Sequence, residues 1–289
     1  PILNMEIDFI QILKFLRRLD LPVPELFYYD IPQGLLFLED CGTMTLESQL
    51  YSFPQDKTLL YRQAIELLVR VQSKATHSED STCPAYHRKF DVEKLMWEFN
   101  FMLDHYVDDF CDSPLDSLAK KELREVFAPL CESLAQEKLY FTHRDYHSRN
   151  LMFDRGRLVL IDFQDARMGP CQYDLVSLLK DSYVKIDDAL VLELIDFYVC
   201  LKEKEEGRKV DREKFDLIFD EMSIQRNLKA VGTFAYQSVK KNNNRYEGFI
   251  APTLGYVRKV LRCRFKDSSL QKVLSKHIPG LDRKEELDL

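Results

Sequence analysis

The sequence predicts an α+β fold of two lobes, a small N-terminal one and a large, mainly helical one. Three observations predict it. The chain opens with one amphipathic helix and two short strand-like runs. A long stretch of helical periodicity follows, to about residue 136. One strand pair is then embedded between residues 139 and 163, before helical texture resumes. The 289 residues are enough for one large domain or two modest ones.

Each element has a local reason. In EIDFIQILKFLRRL, apolar Ile7, Ile10, Leu13, Phe15 and Leu16 alternate with charges at helical spacing. LPVPE stops that helix, because proline and the residue before it disfavour helical backbone. ELFYYD and GLLFLED read as two strands joined by the turn IPQG. Cys41-Gly42-Thr43 breaks the second strand, so the lobe boundary is expected here, with residues 1–41 before it and 42–289 after it. TLLYRQAIELLVRVQSKA carries one apolar stripe of Leu60, Ala64, Ile65, Leu68 and Val71. FDVEKLMWEFNFMLDHYV and the segment around LAKKELREVFAPLCESL are two further helices, and HSEDSTCPAYHRK is a polar loop. LYFTH is a short strand. NLMFD and LVLIDF flank Arg155-Gly156-Arg157, a hairpin with glycine in its turn. After Asp165 the expectation is helix almost to the end, with breaks at EEGRK and KNNNRYEG and a charged, solvated tail, DRKEELDL.

Composition narrows the function classes. A formal net charge of −7 argues against a general nucleic-acid binder. Seven cysteines stand far apart with no Cys-x-x-Cys pair, which fits reduced thiols in a cytoplasmic protein better than a disulfide frame or zinc cage. The apolar start is interrupted by Glu6, Asp8, Gln11 and Lys14, so neither a signal peptide nor a membrane span is expected. The sequence does not speak to the oligomeric state.

The chemistry concentrates in FTHRDYHSRNLMFDRGRLVLIDFQD, residues 141–165. A zinc reading would use His143 and His147, which are four apart and would share a helical face. But this segment follows one strand and leads into another, and no glutamate lies between the histidines to act as base. Each is better read as holding a loop by hydrogen bonds. Phosphoryl transfer needs a carboxylate near the acceptor hydroxyl and hard oxygen ligands for Mg²⁺. Asp145 lies in His-Arg-Asp, Asn150 lies five residues on, and Asp162 lies twelve residues after Asn150. Folding the hairpin through Asp154–Arg157 returns Asp162 close to Asn150.

His-x-Asp-x4-Asn, then a hairpin, then Ile-Asp-Phe resembles the catalytic loop and metal segment of the protein-kinase-like superfamily. The closer likeness is to its small-molecule branch, the aminoglycoside phosphotransferase and choline kinase group. HRDYHSRNLM…LIDFQDA…GP…YDLVSLL looks most like a bacterial subgroup that includes anomeric N-acetylmuramate and N-acetylglucosamine kinases. The likeness spans Pro1 to the 250s and is dense between residues 140 and 183. It implies a two-lobed protein-kinase-like fold and an ATP- and Mg²⁺-dependent kinase. Its acceptor would be a hydroxyl of a small molecule, an amino sugar in that subgroup. Asp145 would be the catalytic base, and Asn150 and Asp162 the Mg²⁺ ligands. His143 would brace the catalytic loop. Glu39, Asp40 and Cys41 would form the hinge whose backbone meets the adenine. Asp174 would hold the loop from behind, or be only a helix N-terminal charge.

The pattern departs from the family in places. Gln164 follows Asp162-Phe163, where protein kinases carry glycine. His147 stands where serine/threonine kinases carry a phosphate-directed lysine, and either donates one hydrogen bond or packs. The glycine-rich phosphate loop and its strand should precede the first helix, yet that helix begins near Glu6, and PILNM is at most the tail of such a strand. The chain as given is therefore expected to lack the nucleotide lid, with residues 1–41 a remnant of the nucleotide-binding lobe.

Acceptor contacts are expected from Arg149 and from Gln225 and Arg226 in MSIQRNLKAVGTFAYQ; the competing reading is a solvated loop arginine and an ordinary polar helix face. Trp97, Tyr106 and Tyr183 either stack on a sugar or pack. Three alternatives stand beside the amino-sugar kinase. They are an aminoglycoside or choline-type kinase, a catalytically silent nucleotide-binding scaffold, and a metal hydrolase built on the two histidines.

Overall fold

The computed structural model describes residues 2–77, 82–154 and 156–282, with side chains from residue 8 onward. Arg155 of the hairpin turn, residues 78–81 of the polar loop and the charged tail from residue 283 lie outside the described residues. The chain forms two compact units. One comprises the chain up to Lys89 together with Lys138–Arg212, and the other Phe90–Glu137 and the chain from Glu213.

In the first unit, helix α1 spans Ile2–Arg18 and buries Ile12, Leu13, Phe15 and Leu16 almost completely. It starts four residues before Glu6, so residues 2–5 are helix and not a strand tail. Leucine and methionine are good helix formers, and nothing in ILNM breaks the helix. β1 (Leu26–Asp30) and β2 (Leu35–Leu38) pair antiparallel, with an irregularity between Leu26 and Tyr28. Their turn closes through the Gly34 N–H on the Ile31 carbonyl at 3.0 Å, with Gly34 at φ +67°. Thr45 caps α2 (Leu46–Ser52) by accepting from the Ser48 N–H. The long α3 (Lys57–Thr76) packs against α7 (Asp188–Glu206) and β3 (Leu139–Thr142).

The hairpin forms as expected, β4 (Leu151–Asp154) against β5 (Arg157–Leu160), with Asp154 opposite Arg157. One expectation fails. Helix does not resume after Asp165: Arg167–Pro170 is a strand, β6, paired antiparallel with β3. All four of its residues are buried, so it shows no alternation of apolar and polar positions to betray a strand. Helix α6 (Gln172–Leu179) follows, buried along its whole length.

The second unit is helical. α4 (Val92–Met102) runs on into a π-helix over Leu103–Phe110, and α5 (Ser117–Ala135) packs on α4 through Phe99 and Phe127, whose rings stack at 3.9 Å. The 30-residue α8 (Arg212–Lys241) passes so close to α4 that a Cβ at Gly232 would lie 2.6 Å from the Met102 Cα; only glycine fits. α9 (Ile250–Cys263) and α10 (Ser269–His277) complete it, with α10 against α5.

Candidate active site

The candidate site is the loop between β3 and β4, residues 143–150, with the segment leaving β5. Two carboxylates near α6 hold the loop. Asp174, fully buried, accepts from the His143 N–H at 2.7 Å and the Arg144 N–H at 2.9 Å. Asp181, 1 % exposed, accepts from the Ser148 N–H at 2.9 Å. Each bond replaces water that a buried amide has lost, so each carboxylate fixes backbone as well as charge. Asp174 lets Arg144 hold a left-handed φ of +81°, uncommon for a residue with a Cβ. The Arg144 guanidinium pairs with Asp165 at 2.8 Å. Tyr146, fully buried, anchors the loop to α3 through the Ala64 carbonyl at 2.7 Å.

His143 is buried, and its Nε2 donates to the Ile161 carbonyl at 3.0 Å. Burial drives its pKa down; the negative charges of Asp145 and Asp162 and the bond to Ile161 act in the opposite direction without reversing this. His143 is thus a neutral brace between the loop and the end of β5, and both carboxylates lie near enough to act on its proton affinity. Among the described residues, no cluster of three or more His, Cys, Asp or Glu side chains is arranged to hold a metal. A zinc centre built on His143 and His147 has no support. The His147 ring instead meets Tyr183 edge-on at 5.2 Å.

Asn150 and Asp162 come together. Asn150 Nδ2 donates to the Asp145 carbonyl at 3.0 Å and to Asp162 Oδ2 at 3.2 Å. The Ile161 N–H donates to the Asn150 carbonyl at 3.2 Å, closing the base of the hairpin. Asp162 sits two residues beyond β5, at φ +65°. With both amide hydrogens of Asn150 engaged, its Oδ1 is left as an acceptor that no donor among the described residues takes. An amide oxygen beside a carboxylate is a hard donor pair. It suits Mg²⁺, which takes one or two protein ligands and completes its shell with water and phosphate.

Residues 39–41, the expected hinge, lie against the same hairpin. Cys41 packs with Met152, Val159 and Ile161, and burial pushes its thiol pKa up. Glu39 pairs with Arg157 at 3.1 Å, and its N–H donates to the Glu25 carbonyl at 2.8 Å. Asp40 Oδ1 accepts the Gly42 N–H at 2.8 Å, where the backbone turns at φ +76°.

The acceptor candidates are placed differently. Arg149 gives Nε and Nη2 to the two oxygens of Glu47 at 2.8 and 2.9 Å and lies 3.7 Å over the Tyr183 ring. Gln225 and Arg226 belong to the second unit. Gln225 is fully buried and donates to Glu98 at 2.9 Å; Arg226 is 4 % exposed. Tyr106 is buried and donates to the Pro279 carbonyl at 2.9 Å, whereas Trp97 is exposed beneath Lys94. Sequence reading missed Asp181 and Glu47. Asp181 follows Asp174 by seven positions but lies beyond the end of α6 at Leu179, so helical spacing does not point to it. Glu47 has no local signal either, since its partner is 102 positions away.

The frame of this site, a helix and two strands before residues 39–41 and a carboxylate-gripped loop with a hairpin after them, is that of kinase-like phosphotransferases. Residues 7–210 match the model of the phosphotransferase enzyme family, and the chain belongs to that family. It is 31 % identical over 245 residues to an N-acetylmuramate/N-acetylglucosamine kinase of Neisseria meningitidis serogroup B, covering 83 % of this chain and 71 % of that one. Its fold is similar to a choline/ethanolamine kinase family protein from Mesorhizobium loti, with a TM-score of 0.60 at 14 % identity over 92 % of this chain and 82 % of the other. It is also similar to the ADP-bound aminoglycoside phosphotransferase APH(2'')-Ib, with a TM-score of 0.58 at 14 % identity over 88 % and 81 %. The protein is a small-molecule kinase with the mixed helix-and-strand fold of that group.

Proposed function

We propose that the protein transfers a phosphoryl group from ATP, with Mg²⁺, to a hydroxyl of an amino sugar such as N-acetylmuramate or N-acetylglucosamine. One observation carries the chemistry: Asn150 and Asp162 meet at 3.2 Å, and the same Asn150 amide clasps the Asp145 backbone. That contact supports reading Asn150 and Asp162 as an ion-holding pair beside the backbone of Asp145, the proposed proton acceptor. The acceptor class rests on the Neisseria relative, whose name states that substrate.

Asn150 and Asp162 would hold the ion. Held there, Mg²⁺ would offset the negative charge of the nucleotide phosphates. Asp145 orients the acceptor hydroxyl and takes its proton as the oxygen bonds to the γ-phosphorus of ATP and the bond from that phosphorus to the ADP oxygen breaks, releasing ADP. His143, neutral, keeps the loop in register with the end of β5. The hinge backbone of Glu39, Asp40 and Cys41 meets the adenine. Residues 1–41 serve as the nucleotide-facing part, and residues 42–289 carry catalysis and acceptor binding. An acceptor contact is assigned to Arg149, and Gln225 and Arg226, both buried in the second unit, are the further candidates that the acceptor KM decides. The seven cysteines are all free, and no helix among the described residues is long and apolar enough to cross a membrane, which supports a cytoplasmic setting.

The test is ATP consumption by the protein across a panel of N-acetylmuramate, N-acetylglucosamine, choline and an aminoglycoside, each with Mg²⁺. Turnover with an amino sugar, abolished by EDTA, is expected. Turnover only with choline or the aminoglycoside would move the acceptor class. Absence of both turnover and a thermal shift with MgATP would make the protein a silent scaffold. For Gln225 and Arg226 the deciding quantity is KM for the acceptor: a rise at unchanged Tm supports contact, and a fall in Tm at unchanged KM makes them core hydrogen bonds.

A further inference from the structure

Asp162 is held from two sides. Asn150 takes Oδ2, and Gln164 Nε2 donates to Oδ1 at 2.8 Å. The Gln164 backbone is held in turn, since its carbonyl accepts from Arg88 Nη1 at 3.3 Å. The other terminal nitrogen of Arg88, Nη2, pairs with Asp8 on helix α1. Arg88 does not swing on a loose loop: its own carbonyl accepts the Met168 N–H at 2.8 Å, and Lys89 bridges to Met168 of β6. Next to Asp8, the Phe9 ring stacks on Phe163 with centroids 5.1 Å apart. Helix α1 therefore grips the three residues Asp162-Phe163-Gln164 twice. One grip is apolar, through the two phenylalanines. The other is polar, running from Asp8 through Arg88 to Gln164 and so to the Asp162 carboxylate.

We infer that Arg88 is a positioning residue that ties the placement of the Asp162 carboxylate to helix α1, through Asp8 on one side and Gln164 on the other. The inference rests on the metal-holding role proposed for Asp162. Its physical basis is the geometry of guanidinium. The planar fork has separate nitrogens for the two partners, so one side chain fixes a carboxylate on one element relative to a carbonyl on another. The pair is only partly exposed, with side chains at 34 % for Arg88 and 21 % for Asp8, so water does not replace it freely. A displacement of α1 would then move Gln164 and withdraw or release one oxygen of Asp162. Ligand-orienting contacts of this kind are worth about 10–100-fold in metal affinity when removed.

The experiment is titration of Mn²⁺, with ADP present, into the full chain, read as loss of the free-ion EPR signal. Asp162→Asn is the reference and is expected to abolish tight Mn²⁺ binding. Arg88→Ala is expected to weaken Mn²⁺ about tenfold, with KM for the acceptor unchanged. In a Gln164→Ala background Arg88→Ala should cost little more, because the two residues act in series. If Arg88→Ala does not fold, Arg88→Lys serves. It keeps the charge but cannot fork to both partners, and about threefold weaker binding at near-native Tm is expected. Mn²⁺ affinity within twofold of wild type in whichever Arg88 variant folds, or fully additive losses in the double variant, would overturn the inference while leaving the metal site intact. Unchanged binding in Asp162→Asn would instead overturn the metal-site reading itself, and the inference with it.

Discussion

Strand β3 carries a polar cluster at each end, and the two are built for opposite purposes. At its start, Tyr140 and Lys202 both donate to Glu206 Oε1, at 2.7 and 2.5 Å, and Arg208 donates to Oε2 at 2.8 Å. Lys202 also lies 3.7 Å over the Tyr140 ring. Burial pushes the Glu206 carboxyl upward, but the hydrogen bonds from Lys202 and Tyr140 and the Lys202 charge outweigh it and bring the pKa down to about 2. Burial would lower the Lys202 ammonium; Cys171, Glu206 and Tyr140 together raise it. Both oxygens of Glu206 are thus met by cationic donors. At the other end, buried carboxylates accept from the backbone of the 143–150 loop, and no donor among the described residues takes the Asn150 Oδ1. A strongly shifted carboxylate here marks a closed ion network. The proposed site is instead built around Asp162 oxygens that neutral amides position, with no cation among the described residues pairing them.

Three substitutions break this contrast, in order of effect. Asp145→Asn should lower kcat about 10³-fold, with Tm and ATP affinity near wild type, because it removes the proposed proton acceptor while keeping the size and shape of the side chain. Steady-state kinetics with a thermal melt decides it; equal turnover would remove Asp145 from the chemistry. Asp174→Ala should hurt both stability and turnover. It orphans two buried N–H groups and should cost about 2–5 kcal/mol in urea unfolding. Glu206→Gln should do the reverse of Asp145→Asn, lowering stability by about 2–3 kcal/mol with kcat per folded molecule unchanged. Its pH signature sharpens the point. A carboxylate whose folded pKa is depressed contributes stability that is fully present above the unfolded value and is lost as pH falls toward the folded one. Wild type should therefore lose stability between about pH 4.5 and about pH 2 through this residue, and Glu206→Gln should lose less there. Parallel acid-unfolding curves for the two proteins would show that Glu206 carries no such role.

The loop and hairpin were legible because their signal is local. Asn150 and Asp162 meet across one short hairpin, and Asn150 also bonds the Asp145 carbonyl five positions back, so spacing along the chain nearly fixes spacing in space. Elements whose partners are remote were not legible. β6 is four buried residues that become a strand only by pairing with β3, 25 or more positions earlier. Glu47 and Arg88 act on residues 102 and 76 positions away. Arg149 could be read as a loop arginine facing solvent or substrate, but no local pattern shows its bidentate hold on Glu47. The polar residues of α8 show the limit from the other side. Gln225 and Asn227 interrupt an apolar helix as a solvent face would, yet both are fully buried, bonded to Glu98 and Ser223 respectively. Periodicity distinguishes apolar from polar positions, and does not tell a polar face turned to water from one satisfied inside the core.

Two four-residue strands and a tight turn fill almost the whole span from Asn150 to Asp162, with no slack. Side chains alternate across a strand, so a single residue inserted or deleted within Leu151–Asp154 would turn its neighbours to the wrong side and carry Asp162 away from Asn150. Gly156, at φ +81°, holds a conformation that side chains rarely adopt, so the turn is restricted in identity there as the segment is in length. Natural variants of this enzyme should therefore differ here by substitution alone, and gaps in the chain should gather elsewhere.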